Sequence, residues 1–130
     1  MITSNDIFWI AGLLEGERCF ILGNMQKHHK TYKQPSISLI MTDKDIINRA
    51  SKIFGTATRK GMLLPSGKTT WRTTVYGRRG IGWMQTIYVL MGQRRQEKIK
   101  SIIDYWKSAP GRNYKNYKWS VDGIRIKQSL

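Results

Sequence analysis

The run "IAGLLEGERCF", residues 10 to 20, closes an apolar stretch with Glu15 and Glu17, in a chain that holds only eight Asp plus Glu against 23 Lys plus Arg. Carboxylates this scarce are candidates for chemistry. Hard cations such as Mg²⁺ take oxygen ligands, commonly one or two carboxylates with water and substrate phosphate, so a phosphodiester-cleaving site needs only one well-placed acid per metal. Gly12 and Gly16 lie four apart and therefore on one helix face, with Ala11 beside them, and small residues at this spacing let two helix backbones approach closely. If a second copy of the helix packs there, both copies of Glu17 arrive near the two-fold axis, where cations would neutralise their repulsion. The alternative is a buried helix whose end Glu15 and Glu17 merely solvate. Negative charge at a helix C-terminus is unfavourable by ~0.3–1 kcal/mol, which weighs against an idle placement. Spacing alone leaves the two readings open.

Other chemistries find little material. His28 and His29 are adjacent in the basic segment "KHHKTYKQP" and read as polar hairpin-tip residues rather than ligands or bases. "GKTT" after Pro65-Ser66 lacks the upstream glycine of a nucleotide-binding loop. A single cysteine, Cys19, excludes an internal disulfide and a cysteine-based zinc cluster, points toward a reducing compartment, and reads as a small packing residue.

The formal charge of +15 is best tolerated by a compact domain when a polyanion relieves its self-repulsion, so nucleic acid is the expected partner. With 130 residues, 40% hydrophobic, five Trp and six Tyr, the chain is expected to fold as one globular domain over 1–108, followed by a basic, aromatic tail over 109–130. No stretch reaches the roughly 18 apolar residues of a membrane span, and "MITSNDIFW" lacks the features of a secretory signal. An intracellular protein without membrane or small-molecule partners is expected.

Eight elements must position these residues. The spacing of Ile7, Phe8, Ile10, Ala11, Leu13 and Leu14 predicts a helix over 5–16, capped by Ser4 or Asn5. Strands are predicted from Arg18 to about Gln26 and from about Gln34 to Thr42, forming a hairpin with a basic tip. "TDKDIINRASKIFG" predicts a helix capped by Thr42 or Asp43 and stopped by Gly55, and "TATRKGMLL" and "TTWRTTVYG" predict a second hairpin around "PSGK". Helices over 81–91 and from Gln93 to Trp106 complete the order α-β-β-α-β-β-α-α. This is an α+β arrangement with one antiparallel sheet and helices segregated to one face.

"IAGLLEGER" resembles the motif that names the LAGLIDADG homing endonucleases. Ile10, Ala11, Gly12, Leu13 and Leu14 match its first five positions in kind, Glu15 and Glu17 its two acids, and Gly16 the small residue between them. The ninth position departs, with Arg18 where the family has glycine. "MTDKDIINRASKIFG" and "LMGQRRQEKIKSII" also look like family segments, so the resemblance covers most of residues 5 to 106. It implies the α-β-β-α-β-β-α saddle whose sheet lies in the DNA major groove, and a single motif copy implies a homodimer on a near-palindromic target. By the match, Ala11, Gly12, Leu13, Glu15 and Gly16 form the subunit contact, and Glu17 holds Mg²⁺ at each active site. Each site then cleaves one strand of a staggered double-strand break. Asp43 matches a polar group that orders attacking water, and Arg94 or Arg95 stands near the basic residue that assists. Sheet positions between core alternates, namely Gln34, Ser36, Ser38, Lys60, Arg72, Thr74 and Tyr76, are expected in the groove, with Lys27, Lys30 and Lys33 on phosphates. A non-cleaving nucleic-acid binder on this scaffold, such as an intron-splicing maturase, and an unrelated RNA-binding protein are the competing expectations.

Overall fold

A computed structural model of the chain describes residues 1–27, 30–108, 117–119 and 125–127. The elements run α1 (Ser4–Glu15), β1 (Phe20–Lys27), β2 (Lys30–Met41), α2 (Lys44–Phe54), β3 (Arg59–Leu63), β4 (Thr69–Tyr76), α3 (Gly77–Ile87), a 3₁₀ turn (Tyr88–Leu90), α4 (Gln93–Ser108), β5 (Tyr117–Trp119) and β6 (Arg125–Lys127). Through α4 this is the predicted order, an α+β fold with a four-stranded antiparallel sheet ordered β1-β2-β4-β3. The chain divides into two compact units, 1–19 with 37–75, and 20–36 with 76–130.

In the first unit, α1 starts at Ser4, one residue before the predicted 5. Thr3 is the N-cap, its hydroxyl accepting from the Asp6 N–H at 3.1 Å while the Asp6 carboxylate accepts from the Thr3 N–H at 3.0 Å. Thr3 wins over Ser4 and Asn5 because only Thr3 has an acid three residues on to close the reciprocal pair. The Thr3 N–H, then its hydroxyl, Arg49 and the N-terminus hold the Asp6 carboxyl below its ordinary value against a smaller opposing effect of burial. A depressed folded value means the stabilisation is present above the unfolded carboxylate range, near pH 4, and is lost as pH falls through the folded value. Thermal melts should therefore separate wild type from Asp6→Ala at pH 7, and the gap should close on acidification below about pH 3.

Ile10, Ala11 and Leu14 of α1 are buried, as are Ile47, Ala50, Ile53 and Phe54 of α2, Ile37 and Leu39 of β2, and Val75 of β4. Each such large aliphatic or aromatic side chain contributes roughly 1.5–3 kcal/mol relative to exposure. Gly55 ends α2 in the left-handed region, φ 70°, where a Cβ would be strained. Buried hydroxyls are paired: Thr56 with Thr73, and Ser51 with Thr58 at 2.8 Å.

The alternation expected along β4 holds from Arg72 to Tyr76 and breaks at Thr70, which is buried and donates to the Met62 carbonyl at 2.7 Å. A shift of register in β3 between Lys60 and Leu63 accompanies the break. Gly61 sits there because a Cβ would lie 2.5 Å from the Thr70 hydroxyl.

In the second unit, Ile81, Trp83, Met84 and Ile87 of α3 and Ile99, Ile102 and Trp106 of α4 are buried. α3 begins at Gly77 rather than 81, because its first turn, Gly77-Arg78-Arg79-Gly80, carries no apolar residue through which periodicity would reveal it. It also ends earlier than predicted, with the 3₁₀ turn closed by Met91 N–H donating to the Tyr88 carbonyl at 3.1 Å. Gln96 donates its side-chain amide to the same carbonyl at 3.0 Å, fixing α4 to that turn. β5 pairs antiparallel with β6, Tyr117 opposite Lys127 and Trp119 opposite Arg125. Periodicity does not predict these strands, since three residues are too few to show alternation. No helix among the described residues is long and apolar enough to cross a membrane.

Candidate active site and nucleic-acid face

The end of α1 is built around one carbonyl. Leu14, buried on the core face, leaves its C=O among the acceptors a helix terminus cannot satisfy internally. That oxygen accepts from the Glu17 N–H at 3.3 Å and from the Cys19 thiol at 3.7 Å. Cys19, itself buried, thus anchors the exit turn and acts as the packing residue expected. The turn fixes Glu17 in a half-buried position, with Arg18 exposed beside it.

Among the described residues, no three of His, Cys, Asp and Glu converge on a possible metal position. One half-buried carboxylate on a fixed turn is nevertheless what a Mg²⁺ site requires from one chain when phosphate and water supply the other oxygens, so Glu17 fits the role.

On the opposite side of α1 from its core, Phe8 is 60% exposed, and Gly12, Glu15 and Gly16 are exposed too. A Cβ built on Gly12 meets nothing within 4 Å. Leu13 is half-buried. Ala11 departs from the expected subunit contact: at 4% exposure it belongs to this chain's own core, one helical step away from the open face.

Asp43 is the N-cap of α2, yet its side chain makes no capping bond, and the exposed carboxylate is not engaged by the helix it begins. Arg94 is exposed and Arg95 half-buried in the first turn of α4, in the second unit. Cations at a helix N-terminus oppose the macrodipole at a cost of about 0.3–1 kcal/mol each. Arg78 and Arg79 repeat the arrangement at α3, and no Asp or Glu occurs between Asp45 and Glu97.

Along the sheet, Arg72 and Tyr76 are exposed and Gln34, Ser38 and Thr74 half-buried, with the Ser38 and Thr74 hydroxyls 3.1 Å apart. Ser36 does not fit the expected face: it is 6% exposed, because strand parity alone does not reveal what covers a position. The register also corrects the second hairpin. Arg59 lies opposite Arg72, and Lys60 lies opposite Trp71, so Arg59 rather than Lys60 shares the face of Arg72 and Thr74. Sequence reasoning missed Arg59, which pairing parity identifies only once the turn and bulge are known. Like charges directly opposite destabilise a strand pair unless an anion lies over them.

Lys33 is exposed, its ammonium 5.8 Å from the Tyr105 ring centroid. Lys44 lies 4.3 Å over Trp71, and the Arg49 guanidinium 4.1 Å over Trp9. Lys27 and Lys30 lie in β1 and β2 with their side chains outside those described, and His28 and His29 fall outside the described residues.

The arrangement is similar to that of the homing endonuclease I-CvuI in complex with its target in the presence of calcium, at a TM-score of 0.64 and 18% identity over 88% of this chain and 74% of that one. The fold is that of the LAGLIDADG homing endonucleases. A second I-CvuI structure, with an I-CreI target in the presence of magnesium and its DNA not cleaved, matches at a TM-score of 0.63, 17% identity and the same coverage, 88% and 74%. The archaeal intron-encoded homing endonuclease I-Vdi141I, complexed with DNA, matches at 0.61 with 12% identity over 81% of this chain and 70% of that one. No protein-family model matches the chain, and no curated protein matches it in sequence. In this fold Glu17 lies two residues past the end of α1, and Arg72 and Thr74 lie in β4.

Proposed function

We propose that the chain is a homodimeric, site-specific endonuclease that makes a staggered double-strand break in near-palindromic duplex DNA and depends on a divalent cation such as Mg²⁺. The observation that carries this reading is the end of α1, where a half-buried carboxylate on a pinned turn accompanies a helix face left open at Gly12. Two copies packed through that face would bring two Glu17 carboxylates to the symmetry axis, one for each strand.

Glu17 would hold the cation, which when bound supplies charge neutralisation at the phosphate and at the departing oxygen. The free Asp43 carboxylate accepts a hydrogen bond from the water that attacks phosphorus. Arg94 or Arg95, in the second unit, is the basic residue that the family resemblance would assign to offsetting negative charge on phosphate. Arg59, Arg72, Thr74, Gln34 and Tyr76 face the bases, with Lys33 on phosphate.

Binding should be steeply salt-dependent. With on the order of 10 phosphate contacts per dimer, anisotropy titrations on a fluorescent duplex should show affinity falling by ~10³ or more between about 50 and 200 mM salt. A flat response contradicts a role for the +15 charge in duplex binding.

Arg18 favours one competing reading. A long cation where the motif has glycine suits a non-cleaving binder of nucleic acid on the same fold. Incubation with a library of palindromic duplexes in Mg²⁺, followed by sequencing of ends, separates the two: a nuclease yields ends, a binder retains duplex uncut.

A further inference from the structure

The tip of the β3–β4 hairpin exposes three consecutive apolar residues. Met62 is 79% exposed, Leu63 63% and Leu64 37%. The tip is built to hold them out. The Leu64 N–H donates to the Lys68 carbonyl at 2.8 Å, the Gly67 N–H donates to the Leu64 carbonyl at 2.9 Å, and the Thr70 hydroxyl holds the Met62 carbonyl at 2.7 Å. Gly61, where a side chain would collide with Thr70, sits at the register shift just before them. Ordering apolar side chains into solvent has no benefit to the fold, so the arrangement calls for a surface that covers them.

The charges around the tip identify that surface. Arg59, Lys60 and Lys68 flank it, all exposed, and the hairpin contains no acid. An apolar patch flanked by cations, on a hairpin without an acid, is complementary to a surface that is apolar at its centre and anionic at its rims. A duplex minor groove, walled by deoxyribose and edged by phosphate, has that character, and apolar side chains enter it as wedges between base steps. The same hairpin carries Arg59 and Arg72 on its face, so the tip continues the surface already assigned to DNA.

We infer that Met62, Leu63 and Leu64 form an apolar wedge that seats in the minor groove of a bound duplex, with Lys60 and Lys68 on the flanking phosphates. The inference rests on the duplex-binding half of the proposed function and is independent of cleavage.

Apolar burial and phosphate neutralisation leave different marks in a salt titration. The test compares the full-length wild-type chain, the Met62→Ser/Leu63→Ser double variant and Lys60→Gln on a fluorescent random-sequence duplex across a salt series. Removing the wedge should lower affinity about tenfold at every salt concentration and leave the slope of log K against log salt unchanged. Lys60→Gln should reduce that slope by about one for the phosphate that Lys60 neutralises. Because the substituted residues are exposed, the melting temperature should stay within about a degree or two of wild type.

Unchanged duplex affinity in the double variant overturns the inference, and so does a change of slope in place of a parallel shift. It is equally overturned if the double variant keeps duplex affinity but loses self-association by light scattering, or loses binding to phosphatidylserine vesicles, since the tip would then serve a second copy or a membrane. A wild-type chain that binds no duplex at all refutes this inference and the proposed function together. Duplex binding without a tip effect refutes the inference alone.

Discussion

Glu17→Gln should leave duplex binding intact and reduce cleavage by at least about 10²–10³-fold. The amide keeps the shape of the side chain but removes the charge that would hold a cation. Glu17 lies just past the C-terminal end of α1, where removal of negative charge is neutral or slightly favourable for the fold. Stability is therefore expected to hold or rise by a few tenths of a kcal/mol while activity collapses, the usual mark of a residue kept for function. Single-turnover cleavage of a library-selected duplex, with anisotropy and thermal melts in parallel, reads all three quantities. Equal loss of binding and cleavage would instead assign Glu17 to the fold or to the DNA interface.

Gly12 gives the second large effect, because the two readings of the α1 face predict opposite signs. In a chain that acts alone, glycine in a helix interior costs roughly 0.5–1 kcal/mol relative to alanine, and Gly12→Ala has nothing within 4 Å to strike. It should then be stabilising and harmless. If a second α1 packs on this face, even a methyl group forces two backbones apart, and Gly12→Leu, a good helix former of greater bulk, should weaken the dimer by about tenfold or more. The expected result for Gly12→Leu is a folded monomer by circular dichroism and light scattering, with double-strand cleavage abolished. A variant that remains dimeric and active would remove α1 from the interface.

Much of the fold was legible because the hydrophobic periods are local. α2, with Ile47, Ala50, Ile53 and Phe54 on one face and Gly55 as its stop, follows from spacing alone. The first turn of α3 did not, since Gly77 to Gly80 carries no apolar residue to show the helical period. The Thr3 cap was hidden among neighbouring residues of equal capping type, and the reciprocal bond to Asp6 decides it.

Site residues divide along the same line. The place of Glu17 just past α1 follows from the helical spacing of the residues before it, and the place of Asp43 at the start of α2 from its capping type. The sheet face was readable only to the parity of each strand. Burial of Ser36 depends on what covers it, and the exchange of Lys60 for Arg59 depends on a one-residue irregularity that no alternation pattern contains. Ala11 shows the same limit on a helix: it sits beside Gly12 in sequence, but the core claims it.

Strand-resolved sequencing of ends from a palindromic duplex library, incubated with wild type and with Glu17→Gln in Mg²⁺, tests the central claim most directly. Paired breaks on the two strands, offset from one another and centred on a near-two-fold sequence, are expected for wild type and should be absent for Glu17→Gln. Duplex bound and recovered without ends, or ends that persist unchanged in Glu17→Gln, would contradict it.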